Sequence, residues 1–141
     1  MCAAMASCAI RPDSQIIAIA GDGGIQMSIP ELATLQQMEV KKLLVVVFVN
    51  RVLGRVFNEI WGPEGAGTAK GCKIFVPDFG KLVKSYGGKG FRIATSDPQA
   101  VSDVLDECLA TPGLVVLEVM QDVNVRPLMA KKTKRPMART R

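Results

Sequence analysis

Residues 14–50 read SQIIAIAGDGGIQMSIPELATLQQMEVKKLLVVVFVN, and two apolar runs stand at the two ends of this stretch. The first run, 14–20, is rich in isoleucine and closes at Gly21, which indicates a buried strand. The second run, 43–49, is unbroken and rich in valine, as expected for a parallel strand buried on both faces. The stretch therefore predicts two strands of one sheet, connected by about twenty residues.

A helix is predicted between these strands. Ser28 and Glu31 have the spacing of a capping box, and Pro30 is compatible with a first helical turn. The helix should continue to about Met38. Its expected inward residues are Ile29, Leu32, Ala33 and Leu35.

The second half of the chain repeats the alternation of helix and strand. Residues 77–86 show apolar residues at helical spacing and are followed by a short strand, 91–94. A helix beginning at Asp97 and a last strand, 114–120, complete the pattern. The two apolar stripes are Phe79, Leu82, Val83 and Tyr86 in the first helix, and Val101, Val104, Leu105, Cys108 and Leu109 in the second. This order predicts an α/β fold, a three-layer sandwich with a mainly parallel sheet and helices on both faces.

Charge separates the chain into a body and a tail. Residues 126–141 contain seven basic residues and no acid, whereas the remaining 125 residues carry 11 basic and 13 acidic ones. We expect one folded domain over 1–125 and a disordered basic tail over 126–141. A basic tail can also bind nucleic acid, but this tail contains no aromatic residue that could stack on bases, so nucleic-acid binding is disfavoured.

Composition excludes several chemistries. The chain contains no histidine, which removes histidine-based catalytic triads and histidine-ligated metals. Its four cysteines form no C-x-x-C pair, so neither a zinc site nor a thioredoxin motif is indicated. The apolar runs are too short to span a membrane. This cysteine spacing favours a reducing compartment, and we expect a cytoplasmic protein, with an organellar location as the alternative.

Polar residues follow both strands of the opening stretch. Asp22 stands between glycines directly after the first strand, and Asn50 follows the second. Ligands of parallel α/β sheets bind beyond the carboxyl ends of the strands, where these two side chains should lie close together. A carboxylate and an amide oxygen suit Mg²⁺. Alternatively, each side chain caps a helix or fills a turn.

The wider pattern resembles the cofactor-binding signature of thiamine-diphosphate-dependent enzymes. That signature is Gly-Asp-Gly, about 25 residues, then Asn-Asn; here 26 residues separate Gly23 from Asn50, and Val49 takes the place of the first asparagine. The segments 31–34, 77–79 and 87–92 are similar to the acetolactate synthase and pyruvate oxidase branch. The resemblance covers about residues 10–128. One residue more than the family pattern stands within 39–44, where a shift of register would displace Asn50.

The resemblance implies a set of ligand-binding residues. Asp22, the Asn50 side chain and the Val52 backbone carbonyl would hold Mg²⁺, while Gly23 and Gly24 would approach the diphosphate. The cofactor-binding set that it implies is Gly21, Asp22, Gly23, Gly24, Asn50, Val52, Leu53 and Gly54. Gln26 and Met27 would face the cofactor or the substrate.

The resemblance also implies a larger enzyme. Family members are longer, act on 2-keto acids as transferases or lyases, and assemble as oligomers. Their catalytic glutamate lies in a separate pyrimidine-binding domain, so the chain by itself is predicted to be inactive. The family's opening strand would precede Met1, which makes the fold incomplete at its N-terminus. The alternative is a non-catalytic remnant or an interaction module of the same fold.

Overall fold

A computed structural model describes residues 1–54, 56 and 70–123, and it contains a four-stranded parallel sheet with helices packed on both faces. In chain order the elements are α1 Cys2–Ile10, β1 Ile16–Gly21, α2 Asp22–Gln26, α3 Glu31–Gln37, β2 Lys42–Val49, a 3₁₀ turn Lys70–Cys72, α4 Phe79–Ser85, β3 Lys89–Ile93, α5 Pro98–Ala110 and β4 Gly113–Met120. The strand order is β1-β2-β4-β3, and every pair is parallel. The predicted fold class is confirmed.

The two faces of the sheet are covered by different helices. On one face, α1, α3 and α4 contribute Cys8, Leu35 and Val83 to a core that includes alternate residues of β2. On the other face, α5 packs Cys108 against a core that contains Leu117. The middle strands β2 and β4 are buried on both sides, because they lie between these helical layers. This sandwich explains why their sequences are continuous apolar runs.

The register between β1 and β2 brings their carboxyl ends to the same level. Ile16 pairs with Leu43, and the pairing continues in step to Gly21 and Phe48. All six pairs from Ile16 to Gly21 are in step, and Glu39 adopts a left-handed conformation, with φ 49°, in the turn that connects α3 to β2.

The predicted start of α3 is wrong. Ser28 does not form a capping box: α3 begins at Glu31 after Pro30, without a side-chain hydrogen bond at its N-cap. The N–H of Ser28 instead donates to the Ile25 carbonyl over 2.8 Å, because Ser28 closes the turn that follows α2. The short helix α2 was not predicted, since its two glycines favour a loop.

Two residues expected to point inward are exposed. Ala33 on α3 and Leu109 on α5 both face solvent, whereas the other residues predicted for the two helices are buried or half-buried. Each lies at the margin of its apolar stripe, where one position along the helix turns a side chain by about 100°.

Two predicted segments fall mainly outside the described residues. Most of the segment 62–73, whose glycines and small residues predict a loop, lies there, as does the basic tail at 126–141. Within the ranges given above, no helix has the length and apolarity that a membrane crossing requires. The four cysteines are free thiols, and three of them are buried.

Candidate functional site

A pocket of about 340 Å³ opens at the carboxyl ends of β1 and β2. Its lining residues are Gly21, Asp22, Gly23, Gly24, Phe48, Asn50, Val52, Leu53, Gly54, Val56 and Gln121. All eight residues that the sequence pattern proposed for cofactor binding are in this set. Glycines and apolar side chains form most of the wall, so the few polar groups determine which ligand it can accept.

Asp22 connects the ends of the two strands. The residue is 3% exposed, and its carboxyl group accepts three backbone hydrogen bonds. Oδ1 accepts from the N–H of Gly23 over 2.8 Å, while Oδ2 accepts from the N–H groups of Asn50, over 3.1 Å, and Arg51, over 2.6 Å. These bonds fix the orientation of the carboxylate at the start of α2 and attach it to the segment that follows β2.

The segment after β2 has a special backbone conformation. Arg51 has φ 61°, in the left-handed region that costs a non-glycine residue some strain. This turn directs the N–H groups of Asn50 and Arg51 towards Asp22. It also allows Asn50 Oδ1 to accept from the N–H of Val52 over 3.1 Å, which orients the amide side chain.

A neighbouring strand-like segment supports this turn. The N–H of Leu53 donates to the Cys72 carbonyl over 2.8 Å, and the N–H of Ile74 donates to the Arg51 carbonyl over 3.1 Å. Val52 and Lys73 form the antiparallel bridge between these bonds. The metal-binding backbone carbonyl proposed at Val52 therefore belongs to a segment whose neighbours on both sides are hydrogen-bonded.

Glycines allow close packing at two positions in the wall. A Cβ atom on Gly23 would lie 2.9 Å from Leu53 Cδ2, and one on Gly54 would lie 3.0 Å from Asn50 Nδ2. A side chain at Gly23 would displace the flexible end of Leu53, and one at Gly54 would crowd the Asn50 amide. In contrast, Cβ atoms at Gly21 and Gly24 would meet no atom within 4 Å, so these two glycines leave free space beside Asp22.

Three lining residues were missed by the sequence reasoning. Phe48, Val56 and Gln121 all border the pocket. Phe48 and Gln121 could have been found, because each lies at the carboxyl end of a strand adjacent to the predicted site. Gln26 and Met27 do not line the pocket: the Gln26 amide donates to the Phe75 carbonyl over 3.1 Å, and Met27 is exposed.

A cluster of charged residues around the buried Glu118 lies apart from this pocket and was also missed. Glu118 on β4 is 2% exposed; it accepts from the N–H of Phe79 over 2.9 Å and pairs with Arg92 over 2.7 Å. Arg92 also contacts Asp78 over 3.1 Å, and Asp78 caps α4 by accepting from the N–H of Lys81. That hydrogen bond, aided by the nearby cations, lowers the pKa of Asp78, and Glu118 raises the pKa of Arg92. The cluster attaches the start of α4 to β3 and β4.

The donor set of the pocket suits a hard cation held by few protein ligands. Among the described residues, no group of three or more His, Cys, Asp or Glu side chains could hold a metal. The candidate set at the pocket instead combines the Asp22 carboxylate with the neutral oxygen of Asn50. Mg²⁺ is commonly bound by one or two carboxylates and completes its shell with water and phosphate oxygens, so this set fits Mg²⁺ with a phosphorylated ligand.

Comparison with solved structures identifies the class of fold. The chain is similar to a thiamine diphosphate-dependent 4-hydroxybenzoylformate decarboxylase from Rhodococcus jostii RHA1, with a TM-score of 0.70 and 24% sequence identity. The match covers 85% of this chain and 22% of the decarboxylase. The fold is therefore that of one domain within thiamine diphosphate-dependent enzymes.

Family and sequence comparisons are more specific. Residues 1–119 match the family described as thiamine pyrophosphate enzyme, C-terminal TPP binding domain, and the chain belongs to this family. It is 32% identical to a probable acetolactate synthase large subunit of Methanocaldococcus jannaschii over 85% of this chain and 20% of that protein. It is 27% identical to a 2-hydroxyacyl-CoA lyase of Oryza sativa subsp. japonica over 84% of this chain and 21% of that protein. The chain thus spans about a fifth of the length of these relatives. The resemblance inferred from the sequence is confirmed.

Proposed function

We propose that this chain binds thiamine diphosphate with Mg²⁺ in the pocket at the ends of β1 and β2. It would serve as the cofactor-anchoring domain of an acetolactate-synthase-like enzyme that acts on 2-keto acids. The observation that carries the proposal is the direct contact between Asp22 and the Asn50 segment at the wall of this pocket. Membership of the TPP-binding family supports the cofactor, and the oxygen donors support the metal.

The cation and the diphosphate each have matching residues in this chain. The Asp22 carboxylate, the Asn50 amide oxygen and the Val52 carbonyl would hold the cation. The open space beside Gly21 and Gly24 would admit the phosphates close to the backbone, which glycine permits. Leu53 and Gly54 complete this wall. When bound, thiamine diphosphate supplies the chemistry that makes and breaks carbon–carbon bonds next to a keto group.

The residues of this chain position the cofactor, and catalysis would require a second component. We infer that a pyrimidine-binding domain or subunit supplies the catalytic glutamate. The limited share of the relatives that this chain covers supports the need for further domains. The relatives include both a synthase and a lyase, so the particular 2-keto acid would be set outside this domain. The free cysteines support a reducing, cytoplasmic location.

Titration calorimetry tests the proposal. The full chain should bind thiamine diphosphate at a ratio of one to one when MgCl₂ is present, and chelation of the metal with EDTA should abolish the heat of binding. The same preparation should not turn over pyruvate until a pyrimidine-binding domain from a relative is added. Absence of Mg²⁺-dependent binding, or turnover by the chain alone, would contradict the proposal.

One observation favours the alternative, a non-catalytic remnant or interaction module. Val49 stands where the family motif has an asparagine, and its side chain is buried in the core at 3% exposure, so it offers no hydrogen bond to the site. In that case the folded chain would not bind thiamine diphosphate.

A further inference from the structure

Gln121 occupies a defined position beside Asn50. It lies one residue past β4, and its backbone N–H donates to the Val49 carbonyl over 2.9 Å. This bond extends the ladder between β2 and β4 beyond the pair of Val49 and Met120. Continued by one step, the register sets Gln121 next to Asn50, and both residues line the pocket. The backbone of Gln121 is therefore held by the sheet rather than by a loose loop.

The pocket contains only a few polar side chains. Among its described lining residues, only Asp22, Asn50 and Gln121 carry a polar group, and no Lys or Arg is present. Both carboxylate oxygens of Asp22 accept backbone N–H groups, and the Asn50 amide oxygen accepts from Val52. The carboxamide of Gln121, in contrast, makes no hydrogen bond within residues 1–54, 56 and 70–123. It is half-buried and lines the pocket.

We propose that Gln121 contacts the bound ligand and donates its side-chain N–H to a phosphate oxygen. This inference rests on the proposed function, because it assigns a recognition role within the same pocket. Because the described part of the wall contains no Lys or Arg, an anionic ligand there depends on the metal ion and on neutral N–H donors for its stabilisation. Gln121 supplies such a donor on the side of the pocket formed by β4, opposite the glycines that follow β1.

Calorimetry on the full chain tests the role with two variants and a control. Gln121→Leu removes the donor at similar size, and Gln121→Glu replaces the donor with a negative charge. A lost hydrogen bond to a charged group should weaken Mg²⁺-dependent binding of thiamine diphosphate about tenfold in Gln121→Leu. Gln121→Glu should bind more weakly still, because the carboxylate repels phosphate. The control Gln37→Glu, at the exposed end of α3, should bind as the unchanged chain does. Circular dichroism should show the same fold for all four proteins.

Four results separate the possible outcomes. Equal affinity of the unchanged chain and Gln121→Leu would overturn the role of Gln121, while the proposed function would remain. Tighter Mg²⁺ binding by Gln121→Glu would also overturn it, because that gain is expected of a metal ligand. A parallel titration with Mg²⁺ and inorganic pyrophosphate covers the case in which thiamine diphosphate fails to bind. If pyrophosphate then binds and its binding depends on Gln121, the role of Gln121 stands and thiamine diphosphate is rejected as the cofactor. If neither thiamine diphosphate nor pyrophosphate binds, both the role of Gln121 and the proposed function are rejected.

Discussion

Asn50 donates its backbone N–H to the carboxylate of Asp22 over 3.1 Å, although the two residues stand 28 positions apart in the chain. The contact exists because β1 and β2 are parallel, adjacent and in register, so their carboxyl ends coincide. A buried carboxylate that already accepts three backbone donors serves both the fold and the pocket. Substitutions at Asp22 should therefore affect stability and ligand binding together, and the two effects need separate measurements.

Asp22→Ala is expected to abolish Mg²⁺-dependent binding of thiamine diphosphate, because it removes the one charged ligand proposed for the metal. It should also lower the free energy of unfolding by about 1–3 kcal/mol, since three backbone N–H groups lose their acceptor. Asn50→Ala should weaken binding less, because a neutral ligand is lost. Calorimetry measures the effect on binding, and urea unfolding measures the effect on stability. The control is Asp106→Asn, at an exposed position of α5. Unchanged binding by a folded Asp22→Ala protein would contradict the assignment.

Gly90→Ala is expected to destabilise the fold without any direct effect on the pocket. A Cβ atom at this position in β3 would lie 2.4 Å from both Cα and the carbonyl oxygen of Gly80 in α4. Backbone cannot move aside as a side chain can, so the cost should be about 1–3 kcal/mol or more. The matched control is Gly71→Ala, where a Cβ atom would meet nothing within 4 Å. Similar urea midpoints for the two variants would show that α4 does not pack on β3 as closely as described.

Much of the layout could be predicted from the sequence, and the reasons are local. The apolar run of β2 is long, β-branched and bounded by polar residues, so only a buried strand suits it. Asp22 and Asn50 were located by a general property of parallel sheets, namely that polar residues at successive strand ends meet.

Other features depend on tertiary contacts and could not be predicted. Glu118 resembles a solvent-facing residue in the run 114–120, yet it is buried because Arg92 and the N–H of Phe79 satisfy it. The capping box at Ser28 was wrong because the unforeseen α2 uses Ser28 to end its own turn. In both cases a contact made elsewhere in the chain outweighs the local preference.

The charge cluster at the start of α4 predicts a pH dependence of stability. Folding lowers the pKa of Asp78 below its ordinary value of 3.8, chiefly through the hydrogen bond from the N–H of Lys81. A carboxyl pKa that is lower in the folded state than in the unfolded state adds stability to the fold. This stability is fully present above the pKa of the unfolded state and is lost as the pH falls through the pKa of the folded state. The difference in unfolding free energy between the unchanged chain and Asp78→Asn should therefore shrink as the pH falls below about 4. A difference that stays constant from pH 6 to pH 2 would contradict this linkage; Asp106→Asn serves as control.

The cysteines should differ sharply in reactivity. Cys2 is exposed, whereas Cys8, Cys72 and Cys108 are buried, and burial raises the pKa of the Cys108 thiol to about 11. The thiolate is the reactive form, so at pH 8 about one Cys108 thiol in a thousand is ionised. In the native chain, one thiol should react rapidly with a disulfide reagent. After unfolding, all four thiols should react. Cys2→Ser should remove the rapid phase, and its persistence would show that a buried thiol becomes accessible.

An apolar strip remains open on the face of β1 that lies on the same side as α5. Ile17 and Ile19 are 53% and 72% exposed there, and β1 is an edge strand whose one neighbour in the described sheet is β2. Unpaired strand edges and contiguous apolar surface both favour association with other chains.

We therefore expect the purified chain to self-associate and to bind a hydrophobic dye. Ile19→Lys should reduce both, because a charge on an edge strand opposes pairing and interrupts the strip. Ile10→Lys is the matched control: Ile10 is as exposed as Ile19 but lies at the end of α1 and not on the strand. Light scattering and dye fluorescence across a concentration series measure the two effects. If the unchanged chain is a monomer at high concentration and binds no dye, the open face of β1 is not an association surface. If Ile10→Lys reduces association as much as Ile19→Lys does, the effect comes from general charge and not from β1.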